Sequence, residues 1–203
     1  MADDRRRSPL AHRRPLEADG GAFGLAERPL LAKLILRADA ETGGAAVEKA
    51  LGVSLPGASK IAASGDVSLL WLGPDEWMVV GAPEAEGDLA GRLEEALSGM
   101  PHQVVRVSDY YTTIAISGTG ARAALAKLTT LDLDPVAFKA GEVRGSNFAK
   151  AVAVLALPES DEEVFDLHIR ATMADYLWCL LTRSGREFGI AQDVPRSGER
   201  LVV

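Results

Sequence analysis

Three histidines, one cysteine and a few carboxylates beside aromatic rings are the groups of this 203-residue chain that could do chemistry. His12, His102 and His168 stand far apart, and none has a second His or Cys at metal-ligand spacing, so no metal site is expected. His168 lies on the polar side of an alternating stretch and reads as a surface strand residue or as a general base. No Gly-x-Ser-x-Gly elbow accompanies it. Asp109-Tyr110-Tyr111 sets two rings beside a carboxylate, which could hold a flat heterocycle with the acid bonding its ring nitrogens. The same two rings could instead cover a junction between sheets. Gly118-Thr119-Gly120, at a strand-to-helix turn, invites a phosphate-cradle reading. A dinucleotide fingerprint needs a third glycine where Ala123 stands, and a Walker loop needs a lysine that is missing. The triplet also reads as a tight turn with a capped helix. Asp75 and Glu76 are neighbours on a turn and read as turn-formers rather than an acid–base pair. Tyr176 and Trp178 read as core or interface, and Cys179 beside them as a small buried hydrophobe. No catalytic residue is assigned.

The elements that must position these groups start with Trp71-Leu72-Gly73-Pro74-Asp75-Glu76-Trp77. Apolar runs on either side of Gly-Pro-Asp-Glu predict a hairpin over 67–81, with Pro74 presetting a turn dihedral. Trp71 and Trp77 then flank the turn, where they could pack together or face a partner. Ala32 to Ala38 predicts a strand, Val47, Ala50 and Leu51 a short helix ending at Gly52, and Leu89, Leu93, Ala96 and Leu97 an amphipathic helix. A strand from Gln103 to Val107 closes this set.

The pattern then starts again. Thr112 to Ser117 is a strand, and Thr119 caps a helix carrying Ala121, Ala124, Leu125 and Leu128. Residues 148–157 and the alternating Phe165 to Arg170 are strands, and Thr172 caps a last helix with Met173, Leu177, Leu180 and Leu181 inward. Both halves read β–α–β–β–α, with a closing strand evident only after the first. The expected fold is α+β: two tandem split β-α-β, ferredoxin-like units packed together. Residues 1–28 form an arm, 29–110 the first unit, 111–190 the second and 191–203 a tail.

Composition is ordinary for a globular protein, at 47% hydrophobic and 25% charged residues. No apolar run approaches the roughly 20 residues that cross a bilayer, and no apolar segment follows the N-terminal arginines as in a secretory signal. A single cysteine suits a reducing cytoplasm. The net charge of −7 conceals an asymmetry, because residues 5–14 hold five arginines and no acid, leaving −7 − 5 = −12 elsewhere. An acidic body argues against nucleic-acid binding. The arm is a solvated leader, a segment that docks on an acidic groove of a partner, or a contact to nucleic acid or lipid.

Several segments, in order along nearly the whole chain, resemble the gamma subunit of heterotetrameric sarcosine oxidase. They are Ser8 to Arg13 with His12, Ala32-Lys33-Leu34, Trp71 to Trp77, Val107-Ser108-Asp109, Leu131-Asp132-Leu133 with Pro135 and Phe138, Ala149-Lys150-Ala151, Phe165-Asp166-Leu167 and Ala174-Asp175-Tyr176-Leu177-Trp178. The family's fold is similar to the folate-binding domain of the glycine-cleavage aminomethyltransferase. The resemblance implies a complex that oxidises sarcosine to glycine and passes the methyl carbon to tetrahydrofolate. It implies that FAD, FMN, NAD and tetrahydrofolate belong to larger partner subunits, and that this chain binds no cofactor and carries no catalytic residue. Ser8, His12, Trp71, Gly73, Pro74, Asp75, Glu76, Trp77, Asp175, Tyr176 and Trp178 are the motif and interface residues it points to, and it favours docking of the arm. A standalone folate-binding or aminomethyltransferase-like protein using Asp109, Tyr110 and Tyr111 is the alternative; a regulatory or homodimeric module is a third.

Overall fold

The fold was taken from a computed structural model, which describes residues 6–190. The tail read at 191–203, and Arg5 of the arm, lie outside the described residues. The N-terminal stretch supplies two strands, β1 (Leu16–Glu17) and β2 (Gly24–Arg28). The first unit follows as β3 (Ala32–Ala38), α1 (Ala40–Leu51), β4 (Ile61–Ser64), β5 (Val67–Gly73), β6 (Glu76–Gly81), α2 (Glu86–Ala96) and β7 (His102–Arg106). The second runs β8 (Tyr111–Ser117), α3 (Ala121–Ala126), β9 (Glu142–Phe148), β10 (Ala151–Leu157), β11 (Val164–Arg170) and α4 (Ala174–Gly185). Helix α1 starts where the Asp39 carboxylate accepts the Thr42 N–H at 2.9 Å, and stops at Gly52 in the left-handed region.

Two antiparallel sheets result, ordered β4-β5-β6-β3-β7 and β9-β10-β11-β8-β2-β1. Read in that direction the first four strands of each correspond in chain order and pairing, so the duplication seen in the sequence holds. The missing closing strand of the second unit comes from the N-terminus: β2 pairs with β8 where β7 pairs with β3. Residues read as the end of an aperiodic arm therefore belong to a sheet. Leu10, Phe23 and Leu25 are buried in the second core. Short, Gly-rich sequence hid this, because five residues carry too few repeats to show a period.

Strand alternation sorts the side chains into layers. Leu34 and Leu36 meet Val47, Leu89 and Leu93 beneath α1 and α2. Ile114, Ile116, Phe165, Leu167 and Ile169 meet Leu125, Leu177, Trp178 and Leu181 beneath α3 and α4. The opposite faces of the sheets pack back to back through Leu70, Met78, Val143 and Ala156. At one side the sheets are sewn together, with Ile61 N–H donating to Gly141 O at 2.9 Å and Val143 N–H to Ser59 O at 3.0 Å.

This layering corrects four expectations. The apolar run 148–157 is not one strand: the chain turns at Ala149, φ +51°, whose N–H donates to Leu128 O at 2.6 Å. Its polar first arm, β9, shows little alternation in the sequence. Thr119 and Thr172 do not cap; Gly120 and Met173 occupy those N-cap positions. His168 is not at the surface but fully buried, because the polar face of β11 turns toward the other sheet rather than water. Cys179 is exposed on the outer side of α4.

Candidate functional site

The Pro74-Asp75 turn folds back so that Trp71 pairs with Trp77, with a bulge between Trp71 and Gly73. The two rings part. Trp77 is buried, its Nε1 donating to Pro56 O at 3.0 Å, whereas Trp71 and Leu72 pack half-buried against the cluster between the sheets. Asp75 accepts from Arg37 at 2.7 Å across an exposed strand pair, and its carbonyl accepts the Ala38 N–H at 3.2 Å. Asp75 thus fixes the hairpin tip, while Glu76 lies half-buried beside it.

Tyr111 reaches the same inter-sheet cluster as Trp71, which brings the hairpin and the Asp109-Tyr110-Tyr111 segment onto one face. The tyrosine rings meet edge-on, 4.8 Å apart at 74°, and the Arg170 guanidinium covers Tyr110 at 5.5 Å. Burial raises the Tyr111 phenol above its usual pKa. Tyr111 covers the sheet junction, whereas Tyr110 stands exposed beside it. Asp109 accepts from Arg6 Nε at 2.7 Å. Beside it a cleft of about 290 Å³ is lined by Arg6, Leu30, Ser108, Asp109, Tyr111 and Thr112.

The arm does find carboxylates, but on its own chain. Ser8 Oγ accepts the Leu10 N–H at 3.2 Å, and Leu10 enters the second core. His12 Nε2 and Arg13 Nε both reach Asp175 Oδ1 at 2.8 Å. Tyr176 packs half-buried against the same core, and Trp178 lies inside it. Asp175→Ala removes the carboxylate that the buried His12 and Arg13 heads share. We expect a loss of about 1–3 kcal/mol and faster tryptic cleavage at Arg13 or Arg14. Unchanged melting temperature and cleavage rate would show that Asp175 does not hold the arm.

Gly118 and Gly120 are packed by the chain itself. A Cβ on Gly118 would stand 2.6 Å from Gly21 O, and one on Gly120 2.5 Å from the Phe188 ring. Glu17, Glu162 and Glu163 line the cleft beside this turn, so a phosphate there would meet negative charge.

One polar constellation was not legible as such in the sequence. Lys33 of β3 is buried against the second sheet, its Nζ donating to Tyr111 O at 3.4 Å. Burial brings its pKa down to about 8, against the pull of Glu27 and Asp166. Asp166 is pushed up by burial and pairs with Arg28 at 2.9 Å. His168 Nδ1 bonds Thr113 Oγ1 at 2.9 Å, and burial, then the Lys33 and Arg28 charges, lower it to about 3, so the ring is neutral. Ser68, Leu70, Val80, Asp166 and His168 border a space of about 40 Å³, room for a water-sized group rather than a substrate. The cue was β10, apolar on both of its faces, which says that the sheet is covered on both sides. Among the described residues no three His, Cys, Asp or Glu side chains stand together as a metal site.

The Sarcosine oxidase, gamma subunit family matches residues 37–187 of the chain. The chain belongs to this family. The gamma subunit of sarcosine oxidase from Arthrobacter sp. is 39% identical over 160 residues, which are 75% of this chain and 74% of that one. A chain of heterotetrameric sarcosine oxidase from Corynebacterium sp. U-96, solved in complex with pyrrole 2-carboxylate, superposes with a TM-score of 0.81 at 28% identity, covering 92% of this chain and 98% of that chain. Glycine cleavage system aminomethyltransferase T from Bartonella henselae has the same fold, with a TM-score of 0.61 at 16% identity over 88% of this chain and 48% of that one. For this gamma-subunit family member, the α+β architecture and its likeness to aminomethyltransferase agree with the sequence reading. The Trp71–Trp77 hairpin and Asp175–Trp178 fall within the matched stretch, whereas Ser8 and His12 precede it.

Proposed function

We propose that this chain is a non-catalytic gamma subunit that assembles with the larger subunits of a heterotetrameric sarcosine oxidase. The complex oxidatively demethylates sarcosine to glycine and transfers the one-carbon unit to tetrahydrofolate; FAD, FMN, NAD and tetrahydrofolate are held by the partners. The superposition covering 98% of the Corynebacterium chain carries this reading. The chemistry of the molecule supports it. Its exposed ionisable groups near the motif face are paired, as in Arg37–Asp75 and Arg6–Asp109, and its strongly perturbed ones are sealed between sheets. The motif and interface residues divide in role: Trp77 and Trp178 build the scaffold, while Trp71, Pro74, Asp75, Glu76 and Tyr176 are available at the surface. A cytoplasmic location fits the single cysteine; among the described residues no helix is long and apolar enough to cross a membrane.

Co-expression with the larger subunits tests the reading. The chain is expected to co-purify with them, and alone to carry no flavin and turn over no sarcosine. Sarcosine turnover by the isolated chain would overturn it. So would micromolar tetrahydrofolate binding, by calorimetry, that Asp109→Ala abolishes.

A further inference from the structure

Each sheet ends in two edge strands, and an edge offers unpaired N–H and C=O groups that invite another chain. Here three of the four edges are blunted. Strands β4 and β9 close on each other through the Ile61–Gly141 and Val143–Ser59 bonds. Strand β1 is two residues long and follows Pro15. Strand β7 also follows a proline, Pro101, but it is five residues long, His102-Gln103-Val104-Val105-Arg106, has no proline or lysine within it, and among the described residues pairs with no strand on its outer side. The Val107 N–H donates to Lys33 O at 2.9 Å, and Val105 stands opposite Ile35. Inward bonding therefore falls on 103, 105 and 107, and the N–H and C=O of Val104 and Arg106 point to the open side.

The internal duplication shows what that side can hold. Strand β7 occupies the place in its sheet that β2 occupies in the other, and β2 carries β1 on the corresponding edge. Among the described residues nothing lies outside β7. The occupant of β2, Leu16–Glu17, is an apolar and an acidic residue running antiparallel. Strand β7 presents the complement: Val105 is 39% exposed on the face it shares with Ile35, and Arg106 is exposed with no acid in the strand. Two copies of the strand laid edge to edge would bring two arginines and no carboxylate to the contact. A foreign segment with a carboxylate would not.

We propose that the β7 edge takes an extended segment of a larger subunit as a sixth strand, antiparallel to β7, with an apolar side chain on Val105 and a carboxylate at Arg106. This rests on the assembly reading above. Main-chain bonds along Val104 and Arg106 give the affinity, and the alternating side chains give the choice of partner.

Arg106→Pro removes an outward N–H while sparing the ladder to β3, which an edge strand tolerates. Co-expressed with the larger subunits, the variant is expected to keep its circular dichroism spectrum and lose at least about 10-fold in recovery with the complex. Arg106→Glu is expected to lose a smaller factor. Hydrogen exchange on the wild-type assembly supplies a readout independent of any variant: the Val104 and Arg106 amides should slow at least about 10-fold relative to the isolated chain. Wild-type recovery of both variants, or amides equally fast in chain and assembly, overturns the proposal. A homodimer of the lone chain that Arg106→Pro dissolves also overturns it, since the occupant is then a second copy. Failure of the wild-type chain to join the larger subunits at all rejects the assembly reading instead.

Discussion

A chain shortened to residues 29–203 is expected to lose its second unit. The removed stretch contains the strand that pairs with β8 from Gly24 to Arg28, together with Leu10, Phe23 and Leu25, all buried in the second core. Burying a large apolar side chain contributes about 1.5–3 kcal/mol, so these three approach the roughly 5–15 kcal/mol that separates folded from unfolded in most domains. Deletion also uncovers one whole edge of β8, whose Ile114 and Ile116 side chains lie at the base of that core. The shortened chain should therefore melt non-cooperatively, bind a hydrophobic dye and elute as aggregates. A monodisperse product with the full chain's melting temperature would mean that residues 6–28 are an appendage after all.

Acid should weaken this protein through one imidazole. His168 titrates near 3 in the fold against about 6.5 when free, chiefly because burial between the sheets disfavours its charged form. Between those values the unfolded chain binds the extra proton, so stability falls as the pH falls. From pH 6.5 to pH 4 this amounts to roughly 3 kcal/mol. Asp166, in contact with the same space, is raised by burial and works in the opposite sense as it titrates above its ordinary value. Lys33, lowered to about 8, makes stability rise between there and about 10.5, outside the acid window. His168→Asn retains a polar group for Thr113 and removes the titration. Urea unfolding at pH 6.5 and pH 4 should show a steep fall for the wild type and a shallow one for the variant. Equal falls in both would reject His168 as the source.

These two expectations mark where the sequence was legible and where it was not. The strand Ala32–Ala38, the hairpin of Trp71 and Trp77, the amphipathic α2 and the alternating Val164–Arg170 all show their periods within a single element. Local chemistry suffices there: a proline presets a turn, and a 3.6-residue or two-residue repeat separates two faces. The candidate site was legible in part. Tyr111 does lie at the junction of the sheets while Tyr110 is exposed, and the arm pairs with carboxylates of its own chain. Which carboxylates could not be read, since Asp109 and Asp175 are about a hundred residues or more from their arginines.

By itself the amino-acid sequence determined the strongly periodic elements, the duplication and the family, because each is written in neighbouring residues or in their order. Only the tertiary structure decided that the second sheet borrows its closing strand from the N-terminus, that His168 and Asp166 face a second sheet instead of water, and that, among the described residues, no strand covers the outer side of β7. Alternation tells which residues share a face. What lies across from that face depends on how two sheets are stacked, and no local period records it.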